Sequence, residues 1–209
     1  MLFSPPLRET CLRCLRPTDF CVCADLPPVA SRTRVVLLQH PREARLAICS
    51  AWLTRIALEN AELHRGVRFE GDRRVRELAA SKETALLYPG PDATPAAAAA
   101  RPATLVVIDA TWRQSERMLR DNPALAALPR IALAGAESGY AGLRREPAPD
   151  GLSTIEAVAL ALGALERDPA RFAPMIAAFR VSVARQLACA SGPRRSPRHR
   201  AERPVHSVR

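Results

Sequence analysis

The chain has 209 residues, 48% of them hydrophobic and 25% charged, an ordinary composition for a single globular domain with a core that needs no disulfide staples. No apolar run approaches the ~18 residues of a membrane span, and residues 1–10 carry prolines and an Arg–Glu pair where a signal peptide needs an apolar stretch, so neither a membrane protein nor an exported one is expected. The net charge is +10, from 31 Lys and Arg against 21 Asp and Glu, and such a surplus favours a polyanionic partner, nucleic acid above all, although an arginine-rich, alanine-rich chain also fits a GC-rich genome.

The first 30 residues hold four of the six cysteines, Cys11, Cys14, Cys21 and Cys23, among prolines and with little periodicity. They read as a small loop-rich module outside the core. From residue 31 strands and helices alternate. Residues 33–39 (TRVVLLQ) form a strand stopped by His40–Pro41. Residues 44–60 have helical spacing, with Leu46, Trp52, Leu53 and Ile56 on one side. A weak strand over 67–69, a short helix over 73–80 and a buried strand over 85–88 follow, the last closed by Pro89–Gly90. The Ala-rich stretch 91–101 reads as a surface excursion or a helix. Residues 104–109 (TLVVID) are the clearest strand; a helix over 112–120 and a strand over 130–134 come next. A glycine-containing loop, 135–151, leads to a long helix over 153–167, broken by Asp168–Pro169, and a last helix spans 174–190. This alternation predicts an α/β fold, a parallel sheet with helices on both faces. Ligands bind such sheets at the carboxyl ends of the strands, where Asp109 and the 135–151 loop lie. Three units result: a cysteine module (1–30), an α/β domain (31–190) and a basic tail (191–209). The tail has six arginines against one glutamate, half the net charge, and its composition predicts disorder.

The cysteines read C-x2-C-x6-C-x-C. Four thiolates at this spacing suit a tetrahedral structural zinc, with redox or free thiols as the alternative, and no histidine among them supplies a catalytic site. Arg13 and Arg16 lie between the ligands, placed to meet phosphate. Cys49 and Cys189 read as small buried hydrophobes. Asp109-Ala-Thr-Trp112 ends the best strand and opens a helix. It serves as a plain cap, since Thr111 and Gln114 have capping-box spacing, or it places Asp109 against a substrate NH with Trp112 as a wall for a base or adenine. Ser153-Thr-Ile-Glu156 is likewise a capping box, and a helix start after a glycine loop also holds anionic groups. Gly135-Ala-Glu-Ser-Gly139-Tyr-Ala-Gly142 is neither a dinucleotide fingerprint nor a P-loop, though its glycines permit close backbone approach. Arg144 and Arg145 are a solvated pair or RNA-phosphate contacts. His40, after the first strand, is structural or part of a site.

Taken in order, these elements resemble the DTW-domain family. The resemblance rests on the cysteine knuckle, Gln39-His40-Pro41-Arg42-Glu43, Leu87-Tyr88-Pro89-Gly90, Asp109-Ala-Thr-Trp-Arg-Gln-Ser-Glu-Arg-Met118, Tyr140-Ala-Gly-Leu-Arg144 and Leu152-Ser-Thr-Ile-Glu156-Ala157. It covers residues 11–165, with Ser115 standing where the family helix more often has alanine. It implies a knotted fold of the SPOUT type. It also implies a cytoplasmic tRNA-uridine aminocarboxypropyltransferase that moves a 3-amino-3-carboxypropyl group from S-adenosylmethionine to uridine N3 and releases methylthioadenosine. Asp109, Thr111 and Trp112 would be catalytic. Gly135, Ser138, Gly139, Tyr140, Leu152, Ser153, Thr154 and Glu156 would hold S-adenosylmethionine, and Cys11, Cys14, Cys21 and Cys23 a structural zinc. Arg13, Arg16, His40, Arg144 and Arg145 would meet the tRNA, with no membrane and no obligate protein partner. Two alternatives stay open: an RNA methyltransferase of the same fold, and a non-catalytic zinc-containing RNA-binding protein.

Overall fold

A run of four apolar residues, Val35–Leu38, is wholly buried on both sides, as a central strand of a parallel sheet covered on two faces must be. In the computed structural model, which describes residues 9–46, 49–133 and 152–191, this strand is β1 (Arg34–Gln39). The others are β2 (Ala61–Arg65), β3 (Thr84–Leu87), β4 (Thr94–Pro95), β5 (Thr104–Asp109) and β6 (Arg130–Ala132). Their order is β2-β1-β5-β3-β6-β4, and every described pairing is parallel. β5 inserts between β1 and β3, with Gln39 opposite Asp109 and Arg65 opposite Gln39. Three polar residues therefore stand in a row at one end of the sheet.

Alternate side chains feed two cores, because the strand period is two. Val35, Leu37, Leu105 and Val107 pack under α1 (Ser50–Ala57), α5 (Thr154–Glu166) and α6 (Pro169–Ser191). Val36, Leu38, Leu86 and Val106 pack under α2 (Arg73–Ala80), α3 (Trp112–Arg120) and α4 (Pro123–Ala126). Gly163 in α5 lets α6 approach closely: a Cβ there would lie 2.9 Å from the Cα of Pro169. Glu166 ties the same corner to the sheet. Its buried carboxylate accepts from the backbone N–H of Arg32 (2.8 Å) and Thr33 (3.1 Å) and from Arg171 Nη1 (3.1 Å).

The fold class and the helices on both faces are as the sequence predicts, with several local differences. The helix expected over 44–60 is confined to α1. Leu46 precedes it and is exposed, and residues 61–65, for which the sequence gives no strand signal, pair with β1, register outweighing the weak β-propensity of AELHR. Residues 67–69 form no strand; the N–H of buried Phe69 is taken by Asn122 Oδ1 (2.7 Å). Within 91–101, Thr94–Pro95 adds an edge strand beside β6. The last helix begins at Pro169, not 174, because Arg167 turns left-handed (φ 55°) and Pro169 is suited to a first turn, leaving Pro174 inside. The cysteine segment also joins the core, through Val22, Leu26 and Val29.

Candidate active site

Asp109 is the last residue of β5, buried at the floor of a cleft of about 420 Å³. The cleft opens at the carboxyl ends of β3, β5 and β6, where parallel sheets hold ligands, and its size is that of a small-molecule site. Its lining includes Cys49 and Ser50 at the start of α1, Leu87–Pro89 at the end of β3, Thr111, Trp112 and Ser115 of the α3 region, Leu133, and Leu152–Thr154.

Both oxygens of Asp109 are held. Gln39 Nε2 donates to Oδ2 at 2.8 Å, and the Thr154 hydroxyl donates to Oδ1. A carboxylate has about four lone-pair sites, so capacity remains for a ligand N–H in the cleft. The two capping boxes expected from sequence are both formed. Thr111 N–H donates to Gln114 Oε1 (2.9 Å), and Ser153 N–H to Glu156 Oε2 (3.0 Å). Capping and site-building coincide: each cap aims a helix start at the cleft, and Thr154, one residue past its cap, reaches Asp109. Glu156 is buried and occupied with Ser153, so it orients the helix rather than lining the cavity.

Trp112 is 55% exposed, too open for a core residue of its size. Its ring meets Tyr88 edge-on at 5.8 Å between centroids, a geometry aromatic rings prefer. Tyr88 is braced by Ser115, whose Oγ lies 3.0 Å from the tyrosine hydroxyl and 2.8 Å from the Trp112 carbonyl. Arg130 lies over the outer face of Tyr88, 5.5 Å from its centroid. The result is an aromatic wall with a cation behind it. Nothing local in the sequence gives Tyr88 or Gln39 a role; for Gln39 the signal is a polar residue closing an otherwise apolar strand.

His40 stands at the rim, its N–H on the Asp109 carbonyl (2.9 Å), and does not line the cleft. Burial, then the Arg42 and Arg117 guanidiniums, pull its imidazole below the usual range. Gly135, Ser138, Gly139, Tyr140, Arg144, Arg145 and the basic tail beyond Ser191 lie outside the described residues.

The four cysteine sulfurs of the N-terminal segment lie within 4.8 Å of one another, with Cys11 and Cys23 3.8 Å apart. A tetrahedral zinc with Zn–S of about 2.3 Å requires S···S edges of about 3.8 Å, so these residues could hold a metal ion. The first pair sits on a turn closed by Leu15 N–H to the Cys11 carbonyl (2.8 Å), with Leu15 left-handed (φ 57°). In the second pair the Cys23 N–H donates to Cys21 Sγ (3.4 Å). Backbone N–H groups of Cys14, then Arg13, bring the Cys11 thiol down to about 6, whereas burial pushes Cys14 and Cys23 up. Arg13 donates to the Cys23 and Ile56 carbonyls (3.1 and 3.0 Å), and Arg16 to Ser182 of α6. These two arginines clamp the knuckle to α1 and α6. The knuckle meets α1 at Ile56, the cleft meets it at Ser50, and the six helical steps between them span about 9 Å. A metal held by these cysteines would lie apart from Asp109.

Comparison with known proteins gives a consistent set. The DTW domain profile matches residues 8–187. A protein of Drosophila melanogaster named tRNA-uridine aminocarboxypropyltransferase 2 is 34% identical over 175 residues, 79% of this chain and 70% of its own. The Macaca fascicularis protein of the same name is 29% identical over 172 residues, and the match covers 77% of this chain but only 58% of that longer protein. An Arabidopsis thaliana protein named tRNA-uridine aminocarboxypropyltransferase A is 27% identical over 200 residues, 77% of this chain and 74% of its own. No solved structure matches the chain significantly.

Proposed function

The chain belongs to the DTW-domain family, and from that premise we propose that it transfers the 3-amino-3-carboxypropyl group of S-adenosylmethionine to N3 of a uridine in tRNA. The observation that carries the proposal is Asp109: a carboxylate fixed at both oxygens, facing a cleft of small-molecule size beside an open aromatic wall. The names of the relatives supply the reaction class.

The sulfonium of S-adenosylmethionine supplies an electrophilic carbon on each of its three substituents. The protein's task is to present the aminocarboxypropyl carbon, not the methyl, in line with the nucleophile, and such positioning is worth roughly 7–11 kcal/mol. Uridine N3 forms the new C–N bond while the S–C bond to that group breaks, leaving neutral methylthioadenosine. Asp109 accepts the N3 proton, a contribution of about 10²–10⁴-fold. Trp112 stacks the splayed target base, as single-stranded RNA bases are held, and Tyr88 keeps the indole upright. Leu152, Ser153 and Thr154, with residues of the segment 135–142, would contain the S-adenosylmethionine. Gly135, Ser138, Gly139 and Tyr140 remain part of this proposal. A knotted fold of the SPOUT type goes with this reading.

The tRNA meets a basic rim. Arg113, Arg117 and Arg120 are exposed on α3, and Arg42 and Arg117 flank His40. Arg144 and Arg145 would extend this rim, and the affinity would fall with salt as phosphate contacts require. Zinc on the four cysteines would fix the knuckle. No helix among the described residues is long and apolar enough to cross a membrane, and a cytoplasmic location goes with this reading.

The test is incubation of purified protein with S-adenosylmethionine and unmodified tRNA, with mass spectrometry of nucleosides and small molecules. Aminocarboxypropyl-uridine with methylthioadenosine is expected. Methylated nucleoside with S-adenosylhomocysteine would overturn the chemistry; neither product, with tRNA still bound, would leave a binding protein.

A further inference from the structure

Gln39 is a fully buried amide at the end of an apolar strand. Its Oε1 accepts from Nε of Arg65, the last residue of β2, at 3.0 Å. Its Nε2 donates to Asp109 Oδ2 at 2.8 Å and lies 3.1 Å from Cys49 Sγ. The sheet register explains the line-up, since Gln39 pairs with Arg65 on one side and Asp109 on the other. A glutamine amide fits a site either way round by shape alone. Here a guanidinium, which can only donate, claims the oxygen, and the NH2 group is left to face the carboxylate. A leucine would continue the apolar pattern of β1, yet it would leave one oxygen of Asp109 without its donor inside the protein.

We infer that Gln39, anchored by Arg65, is a positioning residue for the transfer: it fixes Asp109 Oδ2 as a filled acceptor, so that the carboxylate cannot rotate away from the cleft. Thr154 fixes the other oxygen from the opposite side. The inference rests on Asp109 being the proton acceptor proposed above.

Two variants and one native measurement test it. Gln39→Glu keeps the shape and the Arg65 contact but puts a second carboxylate against Asp109. Two carboxylates at that distance share a proton, so the acidic limb of the single-turnover rate against pH is expected to move up by more than about one unit. Gln39→Met keeps the volume and removes both polar contacts. The expected effect is a loss of about ten- to a hundredfold in kcat with the KM for tRNA unchanged. A rate–pH profile for Gln39→Glu that coincides with wild type, or a Gln39→Met loss confined to KM, would overturn the inference. In the native protein the Gln39 side-chain amide protons, held by Asp109, are expected to exchange slowly with solvent in NMR spectra and to lose that protection in Asp109→Ala. The same protection in both proteins would also overturn it. This last measurement needs no turnover. A wild-type protein that forms no aminocarboxypropyl product therefore counts against the functional reading alone, and the amide signals still decide the Gln39–Asp109 link.

Discussion

The hydroxyl of Thr154 donates to the carboxylate of Asp109 across 45 residues of chain. One residue opens α5 and the other ends β5, so this bond joins two motifs that are separate in sequence into one site. Thr154→Val keeps the shape and removes the donor. Hydrogen bonds to charged groups are worth about 1.5–3 kcal/mol, so single-turnover transfer should slow by about tenfold or more, and Thr154→Ser should restore it. Equal rates in the valine and serine variants would sink the assignment.

Ser115 braces the aromatic wall through Tyr88. Ser115→Ala should lower stability by about 1 kcal/mol, or a Tm shift of about 2–4 °C in a chain of this size. Trp112 emission should change with it, because the edge-on Tyr88 loses its anchor. An unchanged melting curve and spectrum would show that the ring is held by packing alone.

Glu166 is buried under two backbone N–H groups and two guanidiniums. Glu166→Ala frees the two exposed arginines to turn to water but leaves the backbone N–H of buried Thr33 without its acceptor, at a cost of about 1–3 kcal/mol. Urea unfolding should show a loss of that order. Transfer per folded molecule should stay at the wild-type level, since the residue lies at the far end of α5 from Thr154. A loss under about 1 kcal/mol, the worth of an exposed pair, would contradict the burial argument.

Glu62 on β2 accepts from Arg74 (2.9 and 3.1 Å) and Arg34 (2.7 Å), and these cations, Arg74 first, hold its carboxyl at about 2, down from 4.5. A carboxyl depressed in the folded state contributes stability above its unfolded value and loses it as pH falls through the folded one. The advantage of wild type over Glu62→Gln should therefore be fully present near neutrality and shrink between about pH 4.5 and 2. Partial exposure of the pair keeps the effect small. Urea midpoints for both proteins across that range check it; a constant difference would assign the effect to packing.

The knuckle should carry one zinc ion per chain, as four cysteine ligands close a structural site. Cys14→Ser should lose the metal and lower Tm, while any folded fraction retains the cleft. Metal analysis finding no zinc in protein purified without chelator would remove this part of the account.

Much of this arrangement is legible in the sequence. β5 and α3 carry their own signals: an apolar run ending in Asp109, then a cap at Thr111 three residues before Gln114. The capping boxes did not compete with the site reading, because a cap and a site wall use different atoms of the same turn. What could not be read was non-local. β2 is polar and forms only because β1 offers it a parallel edge. Gln39, Arg65 and Asp109 are far apart in sequence and meet only through strand order. Arg13 and Arg16 look like phosphate ligands in a basic chain, yet their guanidiniums reach Ile56 and Ser182 on helices no local pattern could place beside them.

The most direct measurement is single-turnover transfer by Asp109→Asn, with tRNA and S-adenosylmethionine both prebound. The isosteric amide keeps the cleft's shape and cannot take a proton. Transfer should fall by about 10²-fold or more while tRNA affinity stays unchanged. Transfer at the wild-type rate would show that the N3 proton leaves by another route and that Asp109 is only a cap for the site it occupies.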